Sequence, residues 1–203
     1  MATDYTKYWE ATGLRGGIAL VAGVAVVFCS ALNATILYKP VAIVLSLLIL
    51  AGYVVVDSAI VLASSFMLPH HHFGRVSLRL QGVIGMTIGV ACFRLAQKQE
   101  NLGWFLYLAA LQACFVAVAD YLSARDTAEF HNSKWCYAAA VMAALSSVVL
   151  LLFRHATGDL LSWLLFGYLW CFGLALFVLS CHMLFEERHA SHSEAGPANP
   201  RFG

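Results

Sequence analysis

Six long apolar stretches alternate with short polar segments along the chain. Each stretch is close to the roughly 20 residues that a helix needs to cross a bilayer. Lipid offers the backbone no hydrogen-bond partner, and the alternating pattern of a barrel strand is not present, so the pattern predicts membrane-spanning helices. The predicted spans are residues 16–38, 41–68, 76–95, 102–124, 135–153 and 160–185.

The connections between the predicted spans pair them into hairpins. Short links at residues 39–40, 97–101 and 155–159 require the helices that they join to run antiparallel. The predicted fold class is therefore an all-α membrane protein, a six-transmembrane-helix bundle built from three helical-hairpin repeats. The repeats cover residues of about 14–68, 76–125 and 134–187.

Each predicted hairpin opens in the same way, with a basic residue followed by two small residues four positions apart. This spacing places both small residues on one helix face, where two backbones can approach closely. We therefore expect the first, third and fifth helices to pack closely in the bundle, with the even helices beside them. The predicted packing residues are Ala19, Gly23, Gly85, Gly89, Ala140 and Ala144.

The three hairpin openings also carry a family resemblance. They read LRGGIALVAGVAVVF from Leu14, LRLQGVIGMTIGVACF from Leu78 and KWCYAAAVMAALSSVVLLLF from Lys134. Together with the short outer turns, this arrangement resembles the HdeD family of small bacterial membrane proteins over residues 14–187. The third opening departs from the family pattern, since it has alanine where glycine is typical. The resemblance implies an inner-membrane protein linked to acid-stress resistance.

Composition and charge support a membrane location. Hydrophobic residues make up 61% of the 203 residues and charged residues only 11%, against roughly 25% charged in soluble domains. The net charge of +1 gives no reason to expect a nucleic-acid partner, and the lipid bilayer is the expected surrounding.

The distribution of basic residues predicts the orientation. Eight of them fall on the side of both termini, which places the termini in the cytoplasm. We expect residues 1–13 to be a polar cytoplasmic segment and residues 188–203 a disordered cytoplasmic tail. The eight are Lys7, Arg15, Arg75, Arg79, Arg125, Lys134, Arg188 and Arg201, against Lys39, Arg94, Lys98 and Arg154 on the other side.

Asp57 and Asp120 are the most informative polar residues, because a carboxylate inside a bilayer costs a few kcal/mol. Their functional interpretation is an intramembrane proton or ion site. Their structural interpretation is an ion pair or hydrogen bond, with Arg15 and Arg79 as candidate partners at similar depth on neighbouring helices. Two further polar residues in the spans, Gln81 and Gln112, are explained by hydrogen bonds between helices.

Histidines offer a candidate pH-sensing surface. His70, His71 and His72 follow one another in a predicted cytoplasmic connection, and His182 lies near the end of the sixth span. No metal site is predicted, because adjacent loop histidines rarely converge on one ion. The six cysteines are interpreted as small buried hydrophobes. No catalytic motif or cofactor signature is recognisable, so we expect a protein that is not an enzyme and holds no cofactor.

Three functions stay open on the sequence. The first is a non-enzymatic membrane protein similar to the HdeD family, linked to acid or envelope stress resistance. The second is a small proton- or cation-coupled transporter or channel that uses Asp57. The third is an accessory subunit of a membrane complex, or a homo-oligomer. A transporter needs a polar cavity that reaches Asp57, whereas a structural bundle leaves this carboxylate dry and paired.

Overall fold

The described residues form six α-helices. The computed structural model of the protein describes residues 9–32, 39–67, 73–98, 102–126, 133–153 and 159–194. Each helix contains most of one predicted span, as the absence of backbone partners in lipid requires. The helices are α1 (Trp9–Leu32), α2 (Lys39–Met67), α3 (Phe73–Lys98), α4 (Leu102–Asp126), α5 (Ser133–Leu152) and α6 (Asp159–Glu194).

The surface of the bundle is apolar. Large hydrophobic side chains such as Val21, Phe28 and Leu152 are more than two-thirds exposed. Five helices are long and apolar enough to cross a membrane, and α5 adds a shorter apolar stretch, Tyr137–Leu152. A protein with an outer surface of this kind would aggregate in water, whereas lipid solvates such a surface. The protein is thus a helical, multi-pass integral membrane protein.

The six helices form a ring in chain order. Each helix packs against its neighbours in sequence, and α6 closes the ring by packing against α1. Neighbours run antiparallel: Gly13 lies beside Ser180 while Gly23 lies beside Trp170 on the α1–α6 pair. The helices α2 and α6, which both pack against α1, also touch each other.

Close and loose helix pairs alternate around this ring. The pairs α1–α6, α2–α3 and α4–α5 pack most extensively, whereas α1–α2, α3–α4 and α5–α6, which are the predicted hairpins, pack less. The expectation that the odd helices pack closely in the bundle is wrong in one respect, because the described parts of these helices do not pack extensively against one another. Over the described residues, each odd helix packs extensively only against even helices. The reason is that its small residues face an even helix of a neighbouring hairpin.

The α1–α6 pair shows the closest approach of two backbones. A Cβ added at Gly16 would lie 2.9 Å from the carbonyl oxygen of Gly173 and 2.9 Å from the amide nitrogen of Phe177. Ala19 packs against Gly173 from the same face. At the end of the pair, the Ser180 hydroxyl donates a hydrogen bond to the Trp9 carbonyl oxygen at 2.7 Å. The small residues of α1 therefore allow α6 to approach closely.

The small residues of α3 and α5 make equivalent pairs. On α3, Gly85 and Gly89 face α2, where an added Cβ at Gly89 would lie 3.1 Å from the backbone nitrogen of Val55. On α5, Ala140 is buried, and the Ser147 hydroxyl donates to the Ala110 carbonyl oxygen of α4 at 2.8 Å.

The packing role predicted for Ala144 is wrong, because this residue lies on the exposed face of α5. The buried stripe of α5 runs through Ala139, Ala143 and Ser147. This stripe is displaced by one position from the predicted pair, Ala140 and Ala144, so the Ala144 side chain lies outside the contact with α4.

Both ends of the chain are more helical than predicted over the described residues. α1 begins at Trp9, inside the segment 1–13 that was expected to be polar and cytoplasmic. α6 continues to Glu194, so the first part of the predicted disordered tail is helix. Its last turns carry Glu186, Glu187 and Arg188, which extend the helix past the apolar span that ends at Phe185.

The close contact at Gly16 predicts a strong effect of one methyl group. Gly16→Ala places a Cβ against backbone atoms of α6, which cannot rotate away as a side chain can. We expect a loss of about 1–3 kcal/mol in the free energy of unfolding. Gly17→Ala is the matched control, since an added Cβ there meets nothing within 4 Å. Unfolding of both variants in detergent measures the difference, and equal stability of the two would contradict the packing described.

Candidate functional site

A buried ion pair joins α1 to α2. The Arg15 guanidinium donates from Nε to Asp57 Oδ1 at 2.7 Å and from its terminal nitrogen to Asp57 Oδ2 at 3.2 Å. Arg15 is 8% exposed and Asp57 is 3% exposed. Both carboxylate oxygens therefore accept from one guanidinium, the side-on geometry in which arginine binds carboxylates well. The Asp57 carboxylate is therefore buried and paired.

The ion pair lies where side chains of several helices meet. Tyr53 stands one helical turn before Asp57 on the same face of α2, and Tyr168 of α6, the other neighbour of α1, lies near the pair. Both rings are buried, and Tyr168 stacks on Phe172. The site is thus a polar centre inside an otherwise apolar core.

Asp120 of α4 lies close to this polar centre. The charges of Arg15 and Asp57 both act on its carboxyl group. The residue as a whole is half-buried, but its Oδ2 atom is buried and accepts no hydrogen bond. The centre therefore contains one guanidinium and two carboxylates, of which only one is paired.

Arg79 does not serve as the second ion-pair partner. Its guanidinium carbon lies 4.8 Å from the centre of the Phe66 ring, and its Nε atom is buried without a hydrogen-bond partner. In the described part of the chain, the salt bridge found is the one between Arg15 and Asp57. The predicted depth of Arg79 is wrong: Gly85 lies beside Ser58 and Gly82 beside Leu62, so Arg79 is level with Phe66, nine residues beyond Asp57 on α2, and makes a cation–π contact there.

A second group of buried polar side chains surrounds Gly85. A Cβ added at Gly85 would contact the Ser58 hydroxyl and would lie 2.7 Å from Gln112 Nε2. Ser58 Oγ, Gln112 Oε1 and both amide atoms of Gln81 are buried without a partner. The hydrogen bonds between helices that were expected for Gln81 and for this Gln112 oxygen are therefore not made. Gly85 is needed here because any side chain would displace these two polar groups.

The histidine predictions are only partly covered by the structure. His182 lies half-buried in α6, close behind Ser180. His70, His71 and His72 lie outside the described residues. Within the described ranges, no group of three or more histidine, cysteine or acidic side chains is placed to hold a metal ion.

Sequence reasoning missed three contributors to this region. Tyr53 could have been found, because its i, i+4 spacing to Asp57 puts both on one face of α2. Ser58 follows Asp57 directly but was not singled out. Tyr168 carries no sequence signal, because α6 has no acid at the position equivalent to Asp57 and only the folded ring brings it near.

Comparison of the chain with protein-family models, curated proteins and solved structures finds no match. The chemistry of this site therefore rests on its own geometry. A buried, fully paired aspartate on α2 and a partly accessible, unpaired one on α4 can bind cations or protons, or can fix the helices in place.

The stability of the bundle should depend on both members of the ion pair. Removal of one partner of a buried pair costs about 3–5 kcal/mol, because the other charge is left without compensation. We expect Arg15→Gln to destabilise more than Asp57→Asn, since Arg15→Gln leaves two carboxylates without a cation while Asp57→Asn leaves Asp120 beside Arg15.

A double-mutant cycle in detergent-solubilised protein measures this. The double variant should cost less than the sum of the two single variants, by about 0.5–3 kcal/mol. Glu10→Gln, on the exposed side of α1, is the control and should leave stability nearly unchanged. Strict additivity of the two single effects would show that Arg15 and Asp57 do not interact.

Proposed function

We propose that the protein is a non-enzymatic membrane protein of the HdeD-like kind, which crosses the bacterial inner membrane six times with both termini in the cytoplasm and contributes to resistance to acid or envelope stress. The observation that carries this proposal is the pairing of Asp57. A carboxylate that is 3% exposed and bound through both oxygens fixes two helices and is not available to a passing substrate. The stress role itself comes from the resemblance of residues 14–187.

The alternation of closely and loosely packed helix pairs around the ring supports the three-hairpin architecture behind this resemblance. The two helices of each predicted hairpin take part in two different close pairs. The close pairs α2–α3, α4–α5 and α6–α1 are therefore equivalent contacts between hairpins. Internal repeats of this kind stack neighbouring units to bury a continuous core.

A second candidate is a proton- or cation-coupled transporter or channel. The observation in its favour is the unpaired Asp120 oxygen beside a buried ion pair. The burial of Asp57 weighs against the version in which Asp57 itself carries the coupling ion.

A third candidate is a subunit of a membrane complex or a homo-oligomer. It is favoured by α5, whose outward face combines exposed Ala138 and Ala144 with Val141 and Val148. Small residues on an outward face allow another helix to approach.

Acid survival and flux together test the proposed function. In the native host, a strain that lacks the protein should survive acid challenge less well than the parent, and the wild-type gene should restore survival. Asp57→Asn should fail to restore it, because the bundle loses its central ion pair, whereas Gly17→Ala should restore it fully. Equal survival of the parent and the deletion strain would refute the stress role.

Flux measurements distinguish the second candidate, a transporter or channel, from the proposed function. Proteoliposomes with wild-type protein should pass protons and monovalent cations no faster than protein-free liposomes. Flux above this background that falls in Asp57→Asn would instead establish a transporter that uses Asp57.

A further inference from the structure

The polar centre holds more negative than positive charge. Among the described residues, Arg15 is the cation that acts on both Asp57 and Asp120, and it donates both of its described hydrogen bonds to Asp57. An ionised Asp120 therefore leaves the centre with one uncompensated negative charge. Because the Oδ2 atom of Asp120 is buried without a hydrogen-bond partner, this charge is costly and favours binding of a ligand that neutralises it.

Other groups around Asp120 do not supply this neutralisation. On α3, the Arg79 guanidinium lies against the Phe66 ring. On α5, Tyr137 faces Tyr121 edge-on, and on α2 and α6 the facing titratable groups are Tyr53 and Tyr168. On α4 itself, Arg125 is exposed. Among these described groups, Arg15 alone brings positive charge to the carboxyl group of Asp120.

The geometry points to a proton as the neutralising ligand: we propose that Asp120, next to the Arg15–Asp57 ion pair, is a proton-binding site of the bundle. A metal cation prefers several oxygen ligands at once. At this place the two oxygens of Asp57 are already bound to Arg15, so Asp120 is left as the single free carboxylate. A proton needs only one oxygen, and the buried, unpartnered Oδ2 atom provides it.

The position of Asp120 gives the proton an entrance. It lies six residues before the end of α4 at Asp126, roughly 9 Å along the helix axis, and is half-buried rather than sealed. Protons therefore exchange with the aqueous phase at the membrane face where α1 begins. With the proton bound, Arg15 balances Asp57 alone and the centre is neutral. After release, the centre carries one negative charge. This inference does not depend on the stress role proposed above.

Infrared difference spectroscopy tests the site directly. The full chain in liposomes is titrated with pH while the carbonyl band of protonated carboxyl groups is recorded. Wild-type protein should show a band that Asp120→Asn lacks, and a potentiometric titration should count one bound proton fewer in Asp120→Asn. Glu10→Gln is the control and should keep the Asp120 band. An unchanged band in Asp120→Asn, or a band lost only in Asp57→Asn, would overturn the proposal.

Two further measurements keep the test decisive. Asp120→Glu retains a carboxyl group on a longer side chain, so its band should shift in frequency rather than vanish, even if Asp120→Asn folds poorly. No shift of the band in Asp120→Glu would overturn the proposal. The titration is repeated in sodium chloride and in choline chloride at equal ionic strength. A proton site gives the same midpoint in both salts, and a midpoint displaced by sodium would assign the site to a cation instead.

Discussion

Hydrocarbon gives a charged side chain no solvent, and this constraint organises the interior of the protein. Arg15, near the start of α1, and Asp57, within α2, are both buried among apolar side chains, where each alone would cost several kcal/mol. They are tolerated because α1 and α2 bring them into contact, and that contact in turn fixes the rotation of both helices. The small residues of α1 that lie one and two turns further on then face α6. The ion pair with α2 and the small-residue contact with α6 thus both constrain the rotation of α1.

The same constraint makes the unsatisfied polar atoms informative. A buried hydroxyl or amide without a partner is destabilising by about 1–3 kcal/mol, so a bundle that contains several of them gains something else from their presence. Ser58, Gln81 and Gln112 lie on three consecutive helices, beside the helix turn that carries Asp57. The polar interior therefore extends from the ion pair into the α2–α3–α4 side of the ring, while the buried polar residues of α5 and α6 are the serines Ser147, Ser162 and Ser180.

Much of the fold could be predicted from the sequence, because the length of each apolar stretch is set by bilayer thickness. The depth of Arg15 and Asp57 along their helices was also available, and the structure brings these two residues together. The rotation of the helices and their register against one another were not available. Arg79 was expected at the depth of Asp57 but contacts Phe66, nine residues further along α2, and Ala144 has the expected spacing but lies on the exposed face of α5. Neither the pairing of seams between hairpins nor the approach of Tyr168 follows from local periodicity, because both depend on how the ring closes.

Ring closure has a consequence for biogenesis. The pairs α2–α3 and α4–α5 join helices that follow each other in the chain, so each pair can form as soon as its second member enters the membrane. The third close pair joins the first helix to the last. Until α6 is inserted, Gly16 and Ala19 of α1 face lipid or the insertion machinery, and the end of α1 lacks the hydroxyl that binds the Trp9 carbonyl. The nascent bundle therefore stays an open arc until α6 is inserted, and a chain that stops before α6 leaves the small-residue face of α1 uncovered.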